Sequence, residues 1–328
     1  MSQTPDTLAE RVMTGDRRAL ARAITLIEST RQDHRRQAEQ LIERLLPKSG
    51  KSLRLGISGP PGVGKSTFIE AFGQLAIAKG RKVAVLAVDP SSRISGGSIL
   101  GDKTRMAELA KCREAFIRPS PAGEALGGVA RRTREAMLAC EAAGFDLVIV
   151  ETVGVGQSEV AVADMVDLFL LLLPPAGGDE LQGIKRGIVE LADLILVNKA
   201  DGDLAPAAER AEAEIAHALR LIQPRHRDWR PEVLKMSALK GLGLEAAWTR
   251  IEAAAQALTK SGEIKAQRRQ QARAWLWREL SDTLLDALKA HPEIAGRLEK
   301  LEARVAAGKT SPGAAARELL ARFLGEEE

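Results

Sequence analysis

The middle of the chain alternates between short apolar runs and segments whose apolar residues recur at helical spacing. Runs typical of buried strands occur at 53–59, 82–89, 115–118, 145–151, 167–173, 193–198 and 232–236. Strands that alternate with helices in this way build a mostly parallel sheet with helices on both faces. The pattern therefore predicts one α/β domain over residues 51–260.

Both regions that flank this domain are predicted to be helical. Residues 1–50 show two helical patterns, at 7–28 and 31–46, before the first strand. Residues 261–328 follow the last helix of the sheet domain and contain only helical patterns. We therefore expect an N-terminal helical extension and a separate C-terminal helical arm.

A stripe of leucines marks the long helix predicted after Ser261-Gly262. The leucines are four residues apart, at positions 276, 280, 284 and 288. His291-Pro292 ends this helix, and two shorter helices follow, the last beginning at Ser311-Pro312. An apolar stripe outside the sheet domain must be buried somewhere. It can fold back on the core or pair with a second subunit; the second is favoured, so we expect a homodimer with a dimerisation arm.

The first segment that indicates chemistry follows the first predicted strand. Residues 59–66 match G-x-x-x-x-G-K-[ST] at every fixed position, between an apolar run and a helical pattern. Such a loop presents backbone N–H groups and a helix N-terminus to phosphate oxygens. We expect Lys65 to reach the β- and γ-phosphates as a catalytic residue and Ser66 to bind Mg²⁺. The predicted nucleotide-binding residues here are Gly59, Pro60, Pro61, Gly62, Val63, Gly64, Lys65, Ser66 and Thr67.

A second segment indicates which base is bound. Asn198, Lys199 and Asp201 follow the apolar run at 193–197, where α/β sheets bind ligands. A carboxylate can accept both hydrogen bonds from guanine N1–H and its 2-amino group, whereas adenine does not offer that pair of donors. Ser237, Ala238 and Leu239 follow a later strand and fit a second loop that closes on the base. Together the two segments predict GTP and GDP as ligands and the fold of a P-loop NTPase.

Composition narrows the class of protein further. The formal net charge is only +4, and no basic stripe interleaved with aromatic residues occurs, so nucleic acid is not expected as a partner. Cys112 and Cys140 form no C-x-x-C pair, and the four histidines are scattered, so neither disulfides nor a transition-metal site is expected. There is no apolar leader pattern, and the longest apolar run, 168–175, is too short to span a bilayer. We expect a soluble, cytoplasmic protein without a membrane partner.

Four further segments resemble those of one protein family. They are Asp89-Pro-Ser-Ser, Gly97 to Met106, Glu151-Thr-Val-Gly-Val-Gly-Gln-Ser-Glu159 and Gly178 to Lys185. Glu151 to Gly154 is E-x-x-G where GTPases generally have D-x-x-G. In these segments, and in the arm, the chain resembles the MeaB family of P-loop GTPases.

This resemblance implies a chaperone function. Members couple GTP binding and hydrolysis to the loading of adenosylcobalamin into methylmalonyl-CoA mutase by an adenosyltransferase, and they protect that mutase from inactivation. They are similar in being homodimers. By this resemblance the cobalamin is held only through the partner enzyme, and a related acyl-CoA mutase, such as isobutyryl-CoA mutase, is also a candidate client.

The resemblance also implies roles for individual residues. Ser66, Asp89, Asp102 and Glu151 would surround Mg²⁺, some of them through water, and oxygen ligands suit this cation. For Asp102, capping of a helix that begins near Lys103 is an equally good interpretation.

Residues 154–160 and 176–187 would be switch elements, in which the N–H of Gly154 senses the γ-phosphate. Lys185 would stabilise charge in the transition state, or be an exposed helix lysine instead. Gln157 is a weaker candidate for orienting the attacking water.

Two other functions share some of these features. A metal-delivery GTPase of the nickel-insertion type would have the broader fold, but it predicts Cys and His ligands near the nucleotide. A metabolite kinase or transport ATPase would use the phosphate loop, but Asn198 to Asp201 disfavour ATP. The leading hypothesis is therefore a GTPase that hydrolyses GTP to GDP and phosphate and acts on an acyl-CoA mutase.

Overall fold

Among the described residues, seven parallel strands form one sheet. The computed structural model describes residues 4–88, 106–119, 126–152, 158–175 and 186–325. Within these ranges the strands are β1 (Leu53–Ser58), β2 (Val83–Val88), β3 (Ala115–Arg118), β4 (Leu147–Thr152), β5 (Leu168–Leu173), β6 (Leu194–Val197) and β7 (Glu232–Lys235). Their order is β3-β2-β4-β1-β5-β6-β7, and every adjacent pair is parallel. The α/β prediction is confirmed, and each predicted strand is found.

Helices connect the strands and cover the sheet. In the described ranges they are α1 (Pro5–Met13), α2 (Arg17–Ile27), α3 (Gln32–Leu45), α4 (Lys65–Ala78), α5 (Ala107–Lys111), α6 (Leu126–Ala142), α7 (Ser158–Ala163), α8 (Arg186–Leu191), α9 (Ala205–Leu219), α10 (Leu244–Lys260), α11 (Glu263–Ala290), α12 (Pro292–Ala306) and α13 (Pro312–Leu324). Short 3₁₀ turns lie at Leu46–Lys48 and Gly202–Leu204. The central strands are apolar on both sides because helices cover both faces of the sheet.

The core explains why these apolar runs become strands. β2, β4 and β5 are buried along their whole length. On one face of the sheet, Leu55 and Ile57 of β1 belong to the same buried cluster as Phe68 and Phe72 of α4. The rings of Phe68 and Phe72 stack with their centroids 5.1 Å apart. This packing holds the first turn of α4 at the carboxyl end of β1, which is where the phosphate loop lies.

The prediction of a single helix at residues 7–28 is wrong. The structure has two helices there, because Gly15 adopts φ 80° and Asp16 caps the second one. The Asp16 carboxylate accepts hydrogen bonds from the backbone N–H groups of Arg18 and Ala19 at 2.8 and 3.1 Å. A glycine in the left-handed region followed by an N-cap aspartate is a strong local stop and start signal.

The chain divides into two compact units, Met1–Ala266 and Gln267–Glu328. In the second unit α12 packs on α13, with Ile294, Leu301 and Ala315 buried. The Ser311 hydroxyl accepts a hydrogen bond from the N–H of Ala314 at 3.2 Å, which confirms the predicted start of the last helix. Leu276, Leu280 and Leu284 of α11 are 67%, 43% and 52% exposed.

A buried ion pair joins β1 to α6. Arg54 donates from Nε and Nη2 to the two carboxylate oxygens of Glu141 at 2.8 and 3.0 Å, and the side chains are 5% and 0% exposed. Glu141 also accepts from the N–H of Gly50 at 2.7 Å, and Asp167 accepts from the N–H of Arg54 at 2.8 Å. Removing one charge would leave the other buried without compensation.

We therefore expect Glu141→Gln to lower the free energy of unfolding by about 3 kcal/mol, since the Arg54 charge stays buried. Chemical denaturation followed by circular dichroism measures this change. Glu108→Gln is the control, because Glu108 pairs with Lys111 at the surface, where the side chains are 65% and 69% exposed. That control should cost less than about 1 kcal/mol, and equal losses in the two variants would contradict the argument.

Candidate functional site

The phosphate loop lies at the carboxyl end of β1, in the centre of the sheet. β1 has β4 on one side and β5 on the other, and α4 begins at Lys65 directly after the loop. The N-terminus of α4 therefore points its N–H groups into the space above these three strand ends. This is the arrangement that the sequence predicts for binding phosphate.

Lys65 is held over the loop by backbone carbonyl groups. Its ammonium group donates to the carbonyl oxygens of Gly59 and Pro60 at 2.7 and 3.2 Å, and the residue is only 9% exposed. Thr67 is exposed and Ser66 half-buried on the same first turn. A charge placed over a glycine-rich loop in this way is positioned to meet phosphate oxygens.

Two glycines in the loop have conformations that other residues rarely adopt. Gly59 has φ 151° and a Cβ there would lie 2.3 Å from the carbonyl oxygen of Leu172. Gly64 has φ 95°, and its Cβ would lie 2.6 Å from Nδ2 of Asn198. The loop is thus packed tightly against β5 and against the segment that follows β6.

Gly64→Ala is expected to weaken GDP binding about tenfold, because the added methyl group displaces the Asn198 amide and strains the loop. Fluorescence titration with a labelled GDP measures the Kd. Gly80→Ala is a matched control, since Gly80 has φ 85° but a Cβ added there would meet nothing within 4 Å. The control should lose about 1 kcal/mol of stability and keep its GDP affinity; equal weakening by both changes would assign the effect to backbone strain alone.

Glu151 and Ser66 meet at the ends of β4 and α4. The Ser66 hydroxyl donates to Oε1 of Glu151 at 3.4 Å, and Glu151 is 3% exposed. A hydroxyl and a carboxylate oxygen side by side are ligands that suit Mg²⁺. The donor set at this position therefore fits the predicted cation, and its assignment to Mg²⁺ stays a prediction.

Asn198 connects the phosphate loop to the second loop that is predicted to close on the base. Its amide Nδ2 donates to the carbonyl of Val63 at 2.7 Å, and its Oδ1 accepts from the N–H of Ala238 at 2.9 Å. The sequence pattern indicates Asn198 as a nucleotide residue, and the structure places it as the buried link between two loops. Its amide is hydrogen-bonded on both sides, so it fixes the distance between the phosphate loop and the loop that contains Ala238.

The other residues predicted to recognise the base surround this link. Lys199 has φ 61° and is exposed, and Asp201 is half-buried at the start of the 3₁₀ turn Gly202–Leu204. The N–H of Ala200 donates to the carbonyl of Met236 at 2.9 Å. Ser237 is buried, whereas Leu239 is 77% exposed beside it. The structure therefore brings the residues of 198–201 and 237–239 together at one end of the sheet.

Sequence reasoning missed one polar contact below the loop. Thr152 donates from its hydroxyl to the Ser58 hydroxyl at 2.9 Å, and both residues are fully buried. They are the last residues of β4 and β1, the strands that carry Glu151 and the phosphate loop. A polar residue at the end of two apolar runs is the signal that could have identified the pair.

Five predicted site residues lie outside the described ranges. They are Asp89, Asp102, Gly154, Gln157 and Lys185. Their proposed roles in binding Mg²⁺, sensing the γ-phosphate and catalysis stay predictions.

The described residues show neither a clustered metal site nor a membrane-spanning helix. No group of three or more His, Cys, Asp or Glu side chains in these ranges is arranged to hold a metal ion. Among the helices that the structure describes, none combines the length and apolar character needed to cross a bilayer. Burial raises the pKa of the Cys140 thiol, which keeps it protonated and unreactive.

Known proteins resemble this chain over most of its length. Residues 20–293 match the family model described as methylmalonyl Co-A mutase-associated GTPase MeaB. The methylmalonic aciduria type A homolog, mitochondrial, of Mus musculus is 49% identical over 97% of this chain and 79% of its own length. GTPase ArgK of Escherichia coli (strain K12) is 50% identical over 88% of each chain.

A solved structure covers nearly the whole chain. The crystal structure of a LAO/AO transport system kinase has a TM-score of 0.78 and 40% identity, and the match covers 99% of both chains. The fold, the phosphate loop and these relatives make the protein a GTP hydrolase with a P-loop fold. The chain belongs to the MeaB family of methylmalonyl-CoA mutase-associated GTPases.

Proposed function

We propose that this GTPase acts as a chaperone of an adenosylcobalamin-dependent acyl-CoA mutase, with methylmalonyl-CoA mutase as the first candidate. The observation that carries the proposal is the family match, whose description names association with that mutase. The relative from mouse, named for methylmalonic aciduria, supports the same client. In this proposal GTP binding and hydrolysis control when an adenosyltransferase loads the cofactor, and they protect the loaded mutase from inactivation.

The described residues support separate roles for Lys65, Ser66 and Glu151 during GTP hydrolysis. Water attacks the γ-phosphorus, the bond to the β,γ-bridging oxygen breaks, and GDP and phosphate leave. Lys65 and the N–H groups at the start of α4 would hold the phosphate oxygens as negative charge shifts toward the bridging oxygen. Ser66 and Glu151, with Asp89 and Asp102, would hold Mg²⁺, which supplies further charge neutralisation.

Guanine recognition would rest on the segment after β6. Asp201 would accept hydrogen bonds from the base, while Asn198 keeps the two loops at a fixed spacing through Val63 and Ala238. Lys185 and Gln157 are proposed to act near the γ-phosphate, the first as a cation and the second on the water. Each role needs its own substitution, because neither residue lies in the described ranges.

The arm supports a homodimer in this proposal. The exposed leucines of α11 form an apolar stripe, and a second copy of the same stripe is its simplest partner by twofold symmetry. Analytical ultracentrifugation across a concentration series tests the dimer. A cytoplasmic location remains a prediction that rests on the sequence.

The test of the client uses purified components. We expect the purified mutase to bind this protein in a nucleotide-dependent way and to change its GTPase rate. Isothermal titration calorimetry measures binding with GDP and with a non-hydrolysable GTP analogue, and phosphate release measures the rate. An unrelated acyl-CoA enzyme that lacks cobalamin is the control. If methylmalonyl-CoA and isobutyryl-CoA mutases neither bind nor alter hydrolysis, the chaperone proposal is wrong.

A further inference from the structure

A pocket opens at the edge of the sheet, at the amino end of β7 and away from the phosphate loop. Its volume is about 320 Å³, and it lies between the end of α9 and the segment that leads into β7. Apolar side chains line much of it, among them Leu219, Ile222, Pro231 and Val233. Leu221, next in the chain, is 79% exposed. An apolar surface of this kind at a sheet edge is typical of a site that binds another chain.

Two arginines give the pocket a positive charge. Arg220 and Arg230 line it, and both are exposed. Neither forms an ion pair or a side-chain hydrogen bond with any residue that the structure describes. The one carboxylate in the lining, Glu232, is already paired, because it accepts from Nε of Arg250 at 2.7 Å. The pocket therefore offers two uncommitted guanidinium groups beside an apolar floor.

The loop that carries these arginines is fixed from the inside. The Trp229 indole N–H donates to the carbonyl of Asp193 at 2.9 Å. The carboxylate of Glu263 accepts from the N–H groups of Arg227 and Asp228 at 3.1 and 3.0 Å. His226 is buried between Asp193 and Glu263, with its ring nitrogens 3.2 and 3.3 Å from their carboxylates. A preorganised loop loses little entropy when its outer face binds a partner.

The loop at residues 220–231 is rich in arginine. Residues 220–231 contain four arginines against one aspartate. The inner members of the loop are used for anchoring, as when Arg225 donates to the carbonyl of Ala163 at 2.9 Å. Arg220 and Arg230 have no such internal use in the described structure and face the pocket.

β7 connects the pocket to the segments that are predicted to recognise guanine, 198–201 and 237–239. β7 forms one of its walls through Val233 and ends one residue before Met236. The backbone N–H of Met236 donates to the carbonyl of Val197 at 2.8 Å, and the carbonyl of Met236 accepts from the N–H of Ala200 at 2.9 Å. Ser237 follows it. A partner held against β7 would therefore contact the strand that leads into Ser237 and whose next residue, Met236, is hydrogen-bonded to Val197 and Ala200.

We propose that this pocket is a docking site for an acidic segment of the client mutase that carries a bulky apolar side chain. Carboxylates of the segment would pair with Arg220 and Arg230, and its apolar side chain would fill the floor. The positive charge of Arg220 and Arg230 favours an occupant of opposite charge, and the identity of the client rests on the proposed function. Binding of the mutase here would change the rate of guanine nucleotide release, because β7 links the pocket to the segments that are predicted to recognise guanine.

The test compares charge-reversed variants for binding to purified methylmalonyl-CoA mutase. The double variant Arg220→Glu/Arg230→Glu is expected to raise the Kd for the mutase at least about tenfold and to remove most of its salt dependence. Its intrinsic GTPase rate and GDP affinity should stay unchanged, because neither arginine is near the phosphate loop. Arg220→Lys/Arg230→Lys keeps the charge and should bind within about threefold of the unmodified protein.

The control has the same change in charge at another surface. Arg18 and Arg36 are exposed on α2 and α3, so Arg18→Glu/Arg36→Glu should bind the mutase normally. If the unmodified protein binds the mutase and the pocket variant binds it equally well, the docking proposal is overturned while the chaperone function stands. If the unmodified protein does not bind the mutase, both fail. A pocket variant that changes only the oligomeric state would assign the pocket to a second copy of this chain and overturn the proposal.

Discussion

Replacing Lys65 with alanine is expected to lower kcat/KM for GTP about 10³-fold. The ammonium group lies over the phosphate loop, held by the carbonyls of Gly59 and Pro60 at 2.7 and 3.2 Å. Negative charge on the phosphate oxygens and the bridging oxygen is redistributed in the transition state, so a fixed cation contributes more there than to the bound substrate. Most of the loss should therefore be found in kcat. Single-turnover measurement of phosphate release separates hydrolysis from product dissociation.

Two comparisons show whether the charge or the packing is responsible. Lys65→Met fills similar space without the charge, so it should be as slow as Lys65→Ala. Lys79→Ala, which removes the lysine at the other end of α4, should hydrolyse GTP within about twofold of normal, because Lys79 pairs at the surface with Glu245. Lys65→Ala should also stay folded, since it loses hydrogen bonds worth only about 1 kcal/mol each. Normal turnover by Lys65→Met would show that Lys65 has no part in catalysis.

The sequence predicted the sheet well because each of its signals is local. Each strand is a short apolar run bounded by turn residues, and the order of runs and helices leaves one economical arrangement, a parallel α/β sheet. The phosphate loop could be predicted equally well, because its glycines and Lys65 lie close together in the sequence. Among the described elements, the prediction of one helix at 7–28 was wrong because apolar periodicity was given more weight than the stop signal at Gly15-Asp16.

Contacts between distant residues could not be predicted in the same way. The link from Asn198 to Val63 joins residues 135 positions apart, and that from Arg54 to Glu141 joins residues 87 apart. Nothing local to Asn198 indicates that its amide holds two loops together instead of touching the base alone. Nor does composition show that Arg220 and Arg230 share a pocket, because this depends on how α9 meets β7.

Changing Asp201 to asparagine is expected to weaken GTP binding about 10³-fold and to create a preference for xanthosine triphosphate. The carboxylate can accept from both N1–H and the 2-amino group of guanine, and each charged hydrogen bond contributes about 1.5–3 kcal/mol. An asparagine amide offers one acceptor and one donor, so its NH₂ group would face the donor on guanine. Xanthine has a carbonyl oxygen in place of the 2-amino group, and that oxygen accepts from the new NH₂ group.

The gain with xanthosine triphosphate separates base recognition from a loss of structure. Competition against a fluorescent GDP analogue gives both affinities for each variant, and phosphate release shows whether xanthosine triphosphate is hydrolysed. Asp203→Asn is the matched control, because Asp203 is exposed in the same 3₁₀ turn and should not change either affinity. Asp201 is half-buried at the start of that turn and makes no side-chain cap there, so the substitution should not unfold it. If Asp201→Asn binds neither nucleotide while staying folded, or binds GTP as well as Asp203→Asn does, then Asp201 does not recognise the base. Guanine selection would in that case have to come from the backbone of residues 237–239, next to the Asn198 link.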